Sequence, residues 1–438
     1  MKKHIISAIV TAAACSAPLH AETLLEVYQL AQKHDPGLRA AAATYRSEQE
    51  SVTSTKGSLY PSISFSGSLG YGHQEAPKFG TDYTSNSLSL DLNYPIYSPA
   101  LDYAVDAVEI QFDSAGVDLE NAKEDLASNT LKEYFQLLIA KATLDTVEAQ
   151  VKSTASQLER VQKQYDVGLV SITDLQDARA EYDSVRVTEL SAKSDVVLAQ
   201  KTLQQRTGKV LSDIPALSER YPIKVDPSIT AESMIAKAKQ NNKSLQSLEL
   251  AVQAAQKNVD IQKSNGRVPT VAITGSISRA DNDYSDVNPD TEGVTTDANI
   301  GIGVSIPLYS GGSISAKVRQ ATASAEAAYE TKASNLQTIE LSIRSAVLGL
   351  QTTSAQVEAQ RQLIVSRKSA LEATQAGYDV GTRNLVELLS AQSNLYSAQS
   401  TYETLRYNFV IQQVALYELT GELTLDKIND LNTWLVQS

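Results

Sequence analysis

The placement of proline is the feature that most constrains what this chain can fold into. Its 12 prolines lie before residue 100 or between residues 215 and 307, so residues 100–214 and 308–438 contain none. Each of these windows is longer than a hundred residues, whereas a mean globular helix has about 11–12. Because proline breaks the interior of a helix, the two windows are free to hold helices of unusual length.

The residues that fill both windows favour helix. Ala, Leu, Gln, Glu, Lys and Ser dominate them, and most of these are good helix formers. Apolar residues also recur at three- and four-residue spacing, which is typical of an amphipathic helix. We predict one helical hairpin over residues 100–208 that turns near Gly168, and another over residues 313–420 that turns near Gly381.

The same layout occurs twice along the chain. The tetrapeptide Tyr165–Gly168 recurs as Tyr378–Gly381, and Pro61 recurs as Pro269 in the same order and at a similar offset. These landmarks predict two internal repeats of about 210 residues, each with an opening helix, two strands and a helical hairpin. The predicted segments are a first repeat at 22–210, a connector at 211–230, a second repeat at 231–421 and a C-terminal tail at 422–438, with opening helices at roughly 23–57 and 231–264.

The first residues predict a secretory signal. Lys2 and Lys3 form a basic start, an apolar run follows, and Ala21 is the small residue expected at a cleavage site. We therefore predict a signal peptide at residues 1–21. Cys15 is the only cysteine and lies inside it, so the exported chain is expected to have no disulfide or cysteine-based metal site. Lipid modification of Cys15 is the alternative.

Charge and residue inventory argue against several classes of function. The net charge is -13, which argues against general binding to nucleic acid. Beyond the signal, no apolar run approaches the roughly 20 residues of a membrane-spanning helix. Only His34 and His73 lie outside the signal among the four histidines, and they share no motif. We expect no catalytic residues, no cofactor and no metal.

Four short segments alternate apolar and polar residues. They lie at roughly residues 62–72, 86–96, 270–279 and 298–307. Strict alternation over about ten residues is the pattern of a transmembrane β-barrel strand, with lipid on one side and water on the other. A half-buried strand of a soluble sheet has the same pattern. The secretory signal and the four similar segments favour the barrel.

Four strands are too few for a closed barrel, since the smallest barrels have about eight. Three copies supply twelve strands. Because each copy has four long helices, three copies also supply a tube of twelve helices. We therefore predict a cyclic homotrimer with one shared pore. The polar connections at residues 73–85 and 280–297 are expected to be outer loops. Tyrosines near the strand ends fit an interfacial aromatic belt; they are Tyr60, Tyr71, Tyr94, Tyr97 and Tyr309.

Two other classes share part of this pattern. A periplasmic coiled-coil adaptor or structural rod has long helical hairpins and a signal sequence, but not four amphipathic strands in two pairs. A simple porin has the strands but not the helices. The fold class we predict is a mixed α and β membrane protein, with four strands contributed to a trimeric 12-stranded outer-membrane β-barrel that continues into a long periplasmic α-helical barrel.

Several motifs carry a resemblance to the outer-membrane efflux protein family. The motifs are Lys33–Leu38, Leu59–Pro61, Ser305–Gly312 and the two turn segments Tyr165–Asp174 and Tyr378–Arg383. Their order and spacing carry the resemblance, which covers nearly the whole exported chain. It implies a trimeric channel-tunnel without chemistry of its own. Such a channel is the exit duct of tripartite efflux pumps and type I secretion systems.

The resemblance also implies partners and cargo. The channel would join a periplasmic adaptor (membrane fusion) protein and an inner-membrane efflux or ABC transporter, and pass drugs, bile-salt-like toxins or secreted proteins outward. Adaptors dock at the hairpin tips of the family. The matching residues are Val167, Gly168 and Leu169 in the first tip, and Val380, Gly381 and Thr382 in the second.

A gate near the tips is implied by the same resemblance. The family closes its entrance with a hydrogen bond from a tyrosine to an aspartate and an arginine network. The matching residues are Tyr378 with Asp174, and Arg383 with Thr173 and Asp174. A donor to a carboxylate contributes about 1.5–3 kcal/mol. Thr173 and Asp174 also suit the first turn of a helix on their own.

An entrance ring is the last implied feature. Family members often carry two acidic residues three apart after the second turn, and the matching residues here are Glu387 and Ser390. Residues three apart share a helix face, so both are expected to line the pore. Because one carboxylate is kept and the other is replaced by a hydroxyl, we expect a retained but weaker preference for cations and a weaker block by multivalent cations. Converging carboxylates raise one another's pKa, so conductance is expected to depend on mildly acidic pH.

Overall fold

The computed structural model describes residues 23–76, 79–211, 214–284 and 293–436. The predicted signal peptide at residues 1–21, including Cys15, lies outside them. In chain order the helices are α1 (Leu24–His34), α2 (Pro36–Gly57), α3 (Pro99–Asp166), α4 (Ile172–Thr207), α5 (Ala231–Asn241), α6 (Lys243–Arg267), α7 (Ser313–Asp379), α8 (Leu385–Thr420) and α9 (Leu425–Asn432). The strands are β1 (Ser62–Ala76), β2 (Phe79–Tyr97), β3 (Ala216–Leu217), β4 (Thr270–Tyr284), β5 (Gly293–Ser305) and β6 (Leu435–Val436).

Two long helical hairpins form most of the molecule, α3 with α4 and α7 with α8. Helix α3 has 68 residues and α7 has 67, so each is about 100 Å long at 1.5 Å per residue. The turns contain Gly168 at φ 77° and Gly381 at φ 78°, where a side chain would strain the backbone. Helix α3 also packs against α8, which sets the two hairpins side by side.

The opening helices are each divided in two, which corrects the single helices expected at residues 23–57 and 231–264. Asp35 ends α1 and caps α2, because its Oδ1 accepts a hydrogen bond from the Leu38 amide at 2.8 Å. Asn242 does the same between α5 and α6, with its Oδ1 3.0 Å from the Leu245 amide. A cap residue with extended backbone ends one helix and starts the next at a new angle.

Four strands form one antiparallel sheet in the order β1-β2-β4-β5. The strands are longer than predicted, since strand pairing continues through most of residues 73–85 and 280–297, which we expected to be loops. Polar side chains of paired residues contact one another in this extension. For example, His73 Nδ1 lies 2.7 Å from Asp82 Oδ1. Residues 77–78 and 285–292 lie outside the described part of the chain. Strands β1 and β5 are the edges of the sheet.

The register gives the sheet two different faces. Phe65, Leu90 and Ile277 lie side by side on one of them, which we call the apolar face. The next residues along the strands form the polar face, where the Ser66 and Ser89 hydroxyls are 2.7 Å apart. All three apolar side chains are exposed in the single chain. The alternation read from the sequence therefore corresponds to one apolar and one polar face.

The connector and the tail join the middle of the hairpins. Strand β3 of the connector pairs with β6 of the tail, so the segment predicted as a tail at 422–438 instead contains α9 and β6. Arg406 of α8 is only 3% exposed and donates to the Ser218 carbonyl at 2.9 Å and to Glu403 at 2.8 Å. Tyr134 of α3 donates to the Pro215 carbonyl at 2.9 Å. The main apolar core lies around these contacts.

None of the helices in the described ranges is both long enough and apolar enough to cross a membrane.

The tyrosines expected in one belt lie at two levels of the sheet. Tyr60 and Tyr97 lie at the end that joins the helices, whereas Tyr71 lies toward the opposite end of β1.

Candidate functional site

A small apolar cluster joins the ends of the two hairpins. Its buried members are Val161 of α3, Leu175 and Ala178 of α4, and Leu385 and Leu389 of α8. Val170 and Tyr378 pack against it from the two turn regions. The cluster draws on both halves of the chain, so the two tips lie beside each other.

The turns beyond this cluster expose large apolar side chains. Val167 is 70% exposed, Leu169 is 75% exposed, and Val380 of the second turn is 75% exposed. Thr382 is held by a hydrogen bond from its hydroxyl to the Gly377 carbonyl at 3.0 Å. No part of the chain that the structure describes covers these apolar groups, although each turn backbone is closed by its own hydrogen bonds.

The predicted gate residues Tyr378 and Asp174 have other partners within this chain. The Tyr378 hydroxyl donates to Gln164 Oε1 at 3.3 Å. Asp174 caps helix α4, where its carboxylate accepts from the Ser171 amide at 3.0 Å and from the Ser171 hydroxyl at 2.7 Å. Burial raises the pKa of Tyr378, and the nearby Asp174 carboxylate raises it further. The phenol therefore keeps its proton and remains a donor.

Arg383 is paired within its own chain as well. Its guanidinium lies 3.2 Å from Glu387 Oε2, one turn along the second tip. Asn384 caps α8 by accepting from the Glu387 amide at 2.8 Å. Thr173, the predicted partner of Arg383, is exposed in the first turn of α4. The chain thus brings Arg383 to Glu387 and leaves the Arg383–Thr173 contact unformed.

Ser390 lies one turn beyond Glu387 and faces a groove between α4 and α8. The groove has a volume of about 500 Å³ and also contains Asp177 and Glu181 of α4. Burial raises the pKa of Glu181. Two carboxylates therefore line the same groove as Ser390.

Three of the residues near the second tip were not predicted from the sequence. Gln164, Asp177 and Glu181 approach the second tip only through packing between hairpins, and no local pattern marks them. The Arg383–Glu387 pair has a visible signal, since opposite charges four apart on a helix interact. Within the described ranges, no group of three or more His, Cys, Asp and Glu side chains is placed to hold a metal ion.

The chain is similar to one family of known proteins. The family model described as "Outer membrane efflux protein" matches residues 27–209 and 234–422. The chain is 30% identical over 424 residues to the outer membrane protein TolC of Escherichia coli strain K12, covering 95% of this chain and 85% of TolC. It is 27% identical over 420 residues to the TolC of Vibrio cholerae, covering 96% and 95% of the two chains.

A solved structure has the same fold. The CmeC outer membrane channel of Campylobacter jejuni superimposes with a TM-score of 0.75 at 18% sequence identity, over 99% of this chain and 98% of that one. The overall fold is thus shared by a protein of quite different sequence.

Proposed function

The chain belongs to the outer membrane efflux protein family, and from this we propose that it is the exit duct of a tripartite efflux pump or type I secretion system. It is an outer membrane protein that extends into the periplasm. We propose no catalytic role, because the family consists of transport channels. The substrates would be drugs, bile-salt-like toxins or secreted proteins delivered by an inner-membrane transporter.

The observation that carries this proposal is the four-stranded sheet with one apolar face and two open edges. An exposed apolar face on a sheet needs a cover, and the lipid of the outer membrane supplies it. The edges β1 and β5 each carry unpaired backbone groups, which cannot remain unpaired within lipid. Strand β5 of one copy runs antiparallel to β1 of the next, so three copies can close a barrel of twelve strands.

The helices continue the barrel on one side of the membrane. Each copy would contribute α3, α4, α7 and α8 to a tube about 100 Å long. We propose that the two halves of the chain are the repeats at 22–210 and 231–421, joined by a connector at 211–230. The two separate matches to the family model support this division.

Docking of the periplasmic adaptor is proposed at the two turns. The exposed side chains Val167, Leu169 and Val380 support it, because apolar groups at the end of a long hairpin are available to a partner. Gly168 and Gly381 keep the turns tight. An inner-membrane efflux or ABC transporter would then deliver its substrate into the tube.

The gate is proposed to form between copies of the chain rather than within one. Tyr378 is a protonated donor beside Asp174, and Arg383 holds Glu387 by an exposed pair that contributes only about 0.2–1 kcal/mol. Such a pair is easily exchanged for Thr173 and Asp174 of a neighbouring copy when the tips converge.

The entrance ring is proposed to consist of Glu387 and Ser390 from each copy. Asp177 and Glu181 lie across the groove from Ser390, so the entrance remains acidic although the second ring residue is a serine. We therefore expect a clear preference for cations at the entrance. The negative charge at the entrance would depend on pH through Glu181, because burial raises the pKa of its carboxyl group.

Two measurements test the proposed function. Purified protein reconstituted in a planar bilayer should give stable single channels, and a photo-crosslinking residue in place of Val380 should capture an adaptor in cells. A crosslinker in place of the exposed Leu341 of α7, far from the tips, is the matched control. Recovery of the protein in the soluble periplasmic fraction, without channels, would instead favour a coiled-coil adaptor or structural protein.

A further inference from the structure

The polar face of the sheet, in the part that the structure describes, carries charge of only one sign. Its strand positions alternate with the apolar ones, and most are serine, threonine, glycine, alanine or asparagine. Asp91 of β2 and Asp297 of β5 are the only charged side chains among the positions of this face that the structure describes. The apolar face is different, since Arg279, Asp281 and Asp283 extend β4 beyond its apolar rows.

The two carboxylates lie on neighbouring rows of the face. Asp91 pairs with Ser276, which pairs with Asn299, and Asp297 is the next residue of β5 that points to the same side. At the usual spacings of a sheet, the two Cα atoms are about 12 Å apart. The Ser89 hydroxyl donates to Asp91 Oδ2 at 2.8 Å. Neither carboxylate has an ion pair in the described chain.

We propose that this polar face is a second cation-selective segment of the channel, in which Asp91 and Asp297 attract hydrated cations far from the tips. The inference rests on the proposed function, because the face borders water only if three sheets close into a barrel. The carboxylates act through their electrostatic field over the whole face and do not form a coordination site. The preferred passengers are small cations and cationic substrates.

The size of a closed barrel decides whether such a field matters. Twelve strands about 4.8 Å apart and tilted by about 40° give a wall of roughly 12 Å radius. The Debye length is about 10 Å at 0.1 M salt and about 3 Å at 1 M. Six carboxylates per trimer therefore act across most of the lumen at the lower salt concentration, and only near the wall at the higher one.

The test measures reversal potentials under a potassium chloride gradient in planar bilayers. Glu387→Gln with Asp177→Asn and Glu181→Gln provides the background, because together these changes remove the carboxylates of the proposed entrance. In this background we expect a cation preference that remains near 0.1 M salt and disappears near 1 M. Adding Asp91→Asn and Asp297→Asn should move the low-salt reversal potential most of the way to zero. Both changes are isosteric, and the amide oxygen introduced by Asp91→Asn still accepts the Ser89 hydrogen bond.

A matched control removes the same number of charges from the other face. Asp281→Asn with Asp283→Asn should leave the reversal potential unchanged. If Asp91→Asn with Asp297→Asn also leaves it unchanged, the lumen is not selective and the inference is wrong, although the channel itself stands. If only the control pair changes it, the faces are reversed and the inference is wrong as well. A protein that forms no channels in any variant overturns the proposed function along with the inference.

Discussion

Replacement of Leu385 by alanine tests what holds the two tips together. Leu385 is 2% exposed and belongs to the apolar cluster that joins the hairpins. Truncation of a buried leucine to alanine costs about 2–5 kcal/mol, depending on how far the site can collapse. Because the cluster is small and near the end of the molecule, we expect the lower part of this range, about 2–3 kcal/mol.

The polar contacts at the tip contribute less. The Tyr378–Gln164 hydrogen bond is long at 3.3 Å, and the Arg383–Glu387 pair is exposed. Contacts of these kinds contribute about 0.2–1.5 kcal/mol each. The apolar cluster should therefore dominate the association of the tips, and the polar contacts should adjust it.

Amide hydrogen exchange at the first turns of α4 and α8 measures this local opening directly. Leu385→Ala should raise the opening equilibrium about 30- to 140-fold, since about 1.4 kcal/mol corresponds to a factor of ten. Val386→Ala, at an exposed neighbouring position, is the control and should change exchange little. If Tyr378→Phe accelerates exchange as much as Leu385→Ala does, or if the two alanine variants exchange alike, the apolar cluster does not hold the tips together.

Three further predictions concern other parts of the chain. Tyr378→Phe with Arg383→Ser should raise single-channel conductance in planar bilayers, because it removes the donors of the proposed gate; an unchanged conductance would count against that gate. Glu387→Ala should weaken block by multivalent cations, and equal block would show that Glu387 does not line the entrance. Arg406→Met should destabilise the middle region by about 3–5 kcal/mol, because it leaves buried groups unpaired, whereas the exposed Arg344→Met should cost less than about 1 kcal/mol; thermal unfolding compares the two.

The long helices were predictable because their main constraint is local. A helix interior excludes proline, and the absence of proline is visible without any knowledge of packing. The break at Asp35 also had a visible signal, since proline at the first position of a helix commonly follows an aspartate cap. The break at Asn242 has no such proline, and its cap is clear only from the backbone around it.

The ends of the strands and the partners at the tip were less predictable. Alternation marks a strand only where one face is apolar, so the polar ends of β1 and β2 resemble loops although they remain paired. Tyr378 and Gln164 are separated by 214 positions in the sequence. Only the packing of one hairpin against the other brings them together, and no spacing rule within one helix describes that.

The claim that three copies close one barrel can be tested by disulfide formation between the edge strands. Within one chain, β1 and β5 are separated by two strands, or about 14 Å, whereas a disulfide requires Cα atoms within about 7 Å. Cys15, the chain's only cysteine, lies in the predicted signal peptide. Ile302→Cys in β5 can therefore be combined in turn with Ile63→Cys, Phe65→Cys or Leu69→Cys in β1. At the register that joins neighbouring copies, we expect oxidation to give a covalent trimer that resists denaturation in detergent. Monomers at every register, dimers alone, or a ladder that extends beyond three copies would contradict a closed barrel of twelve strands.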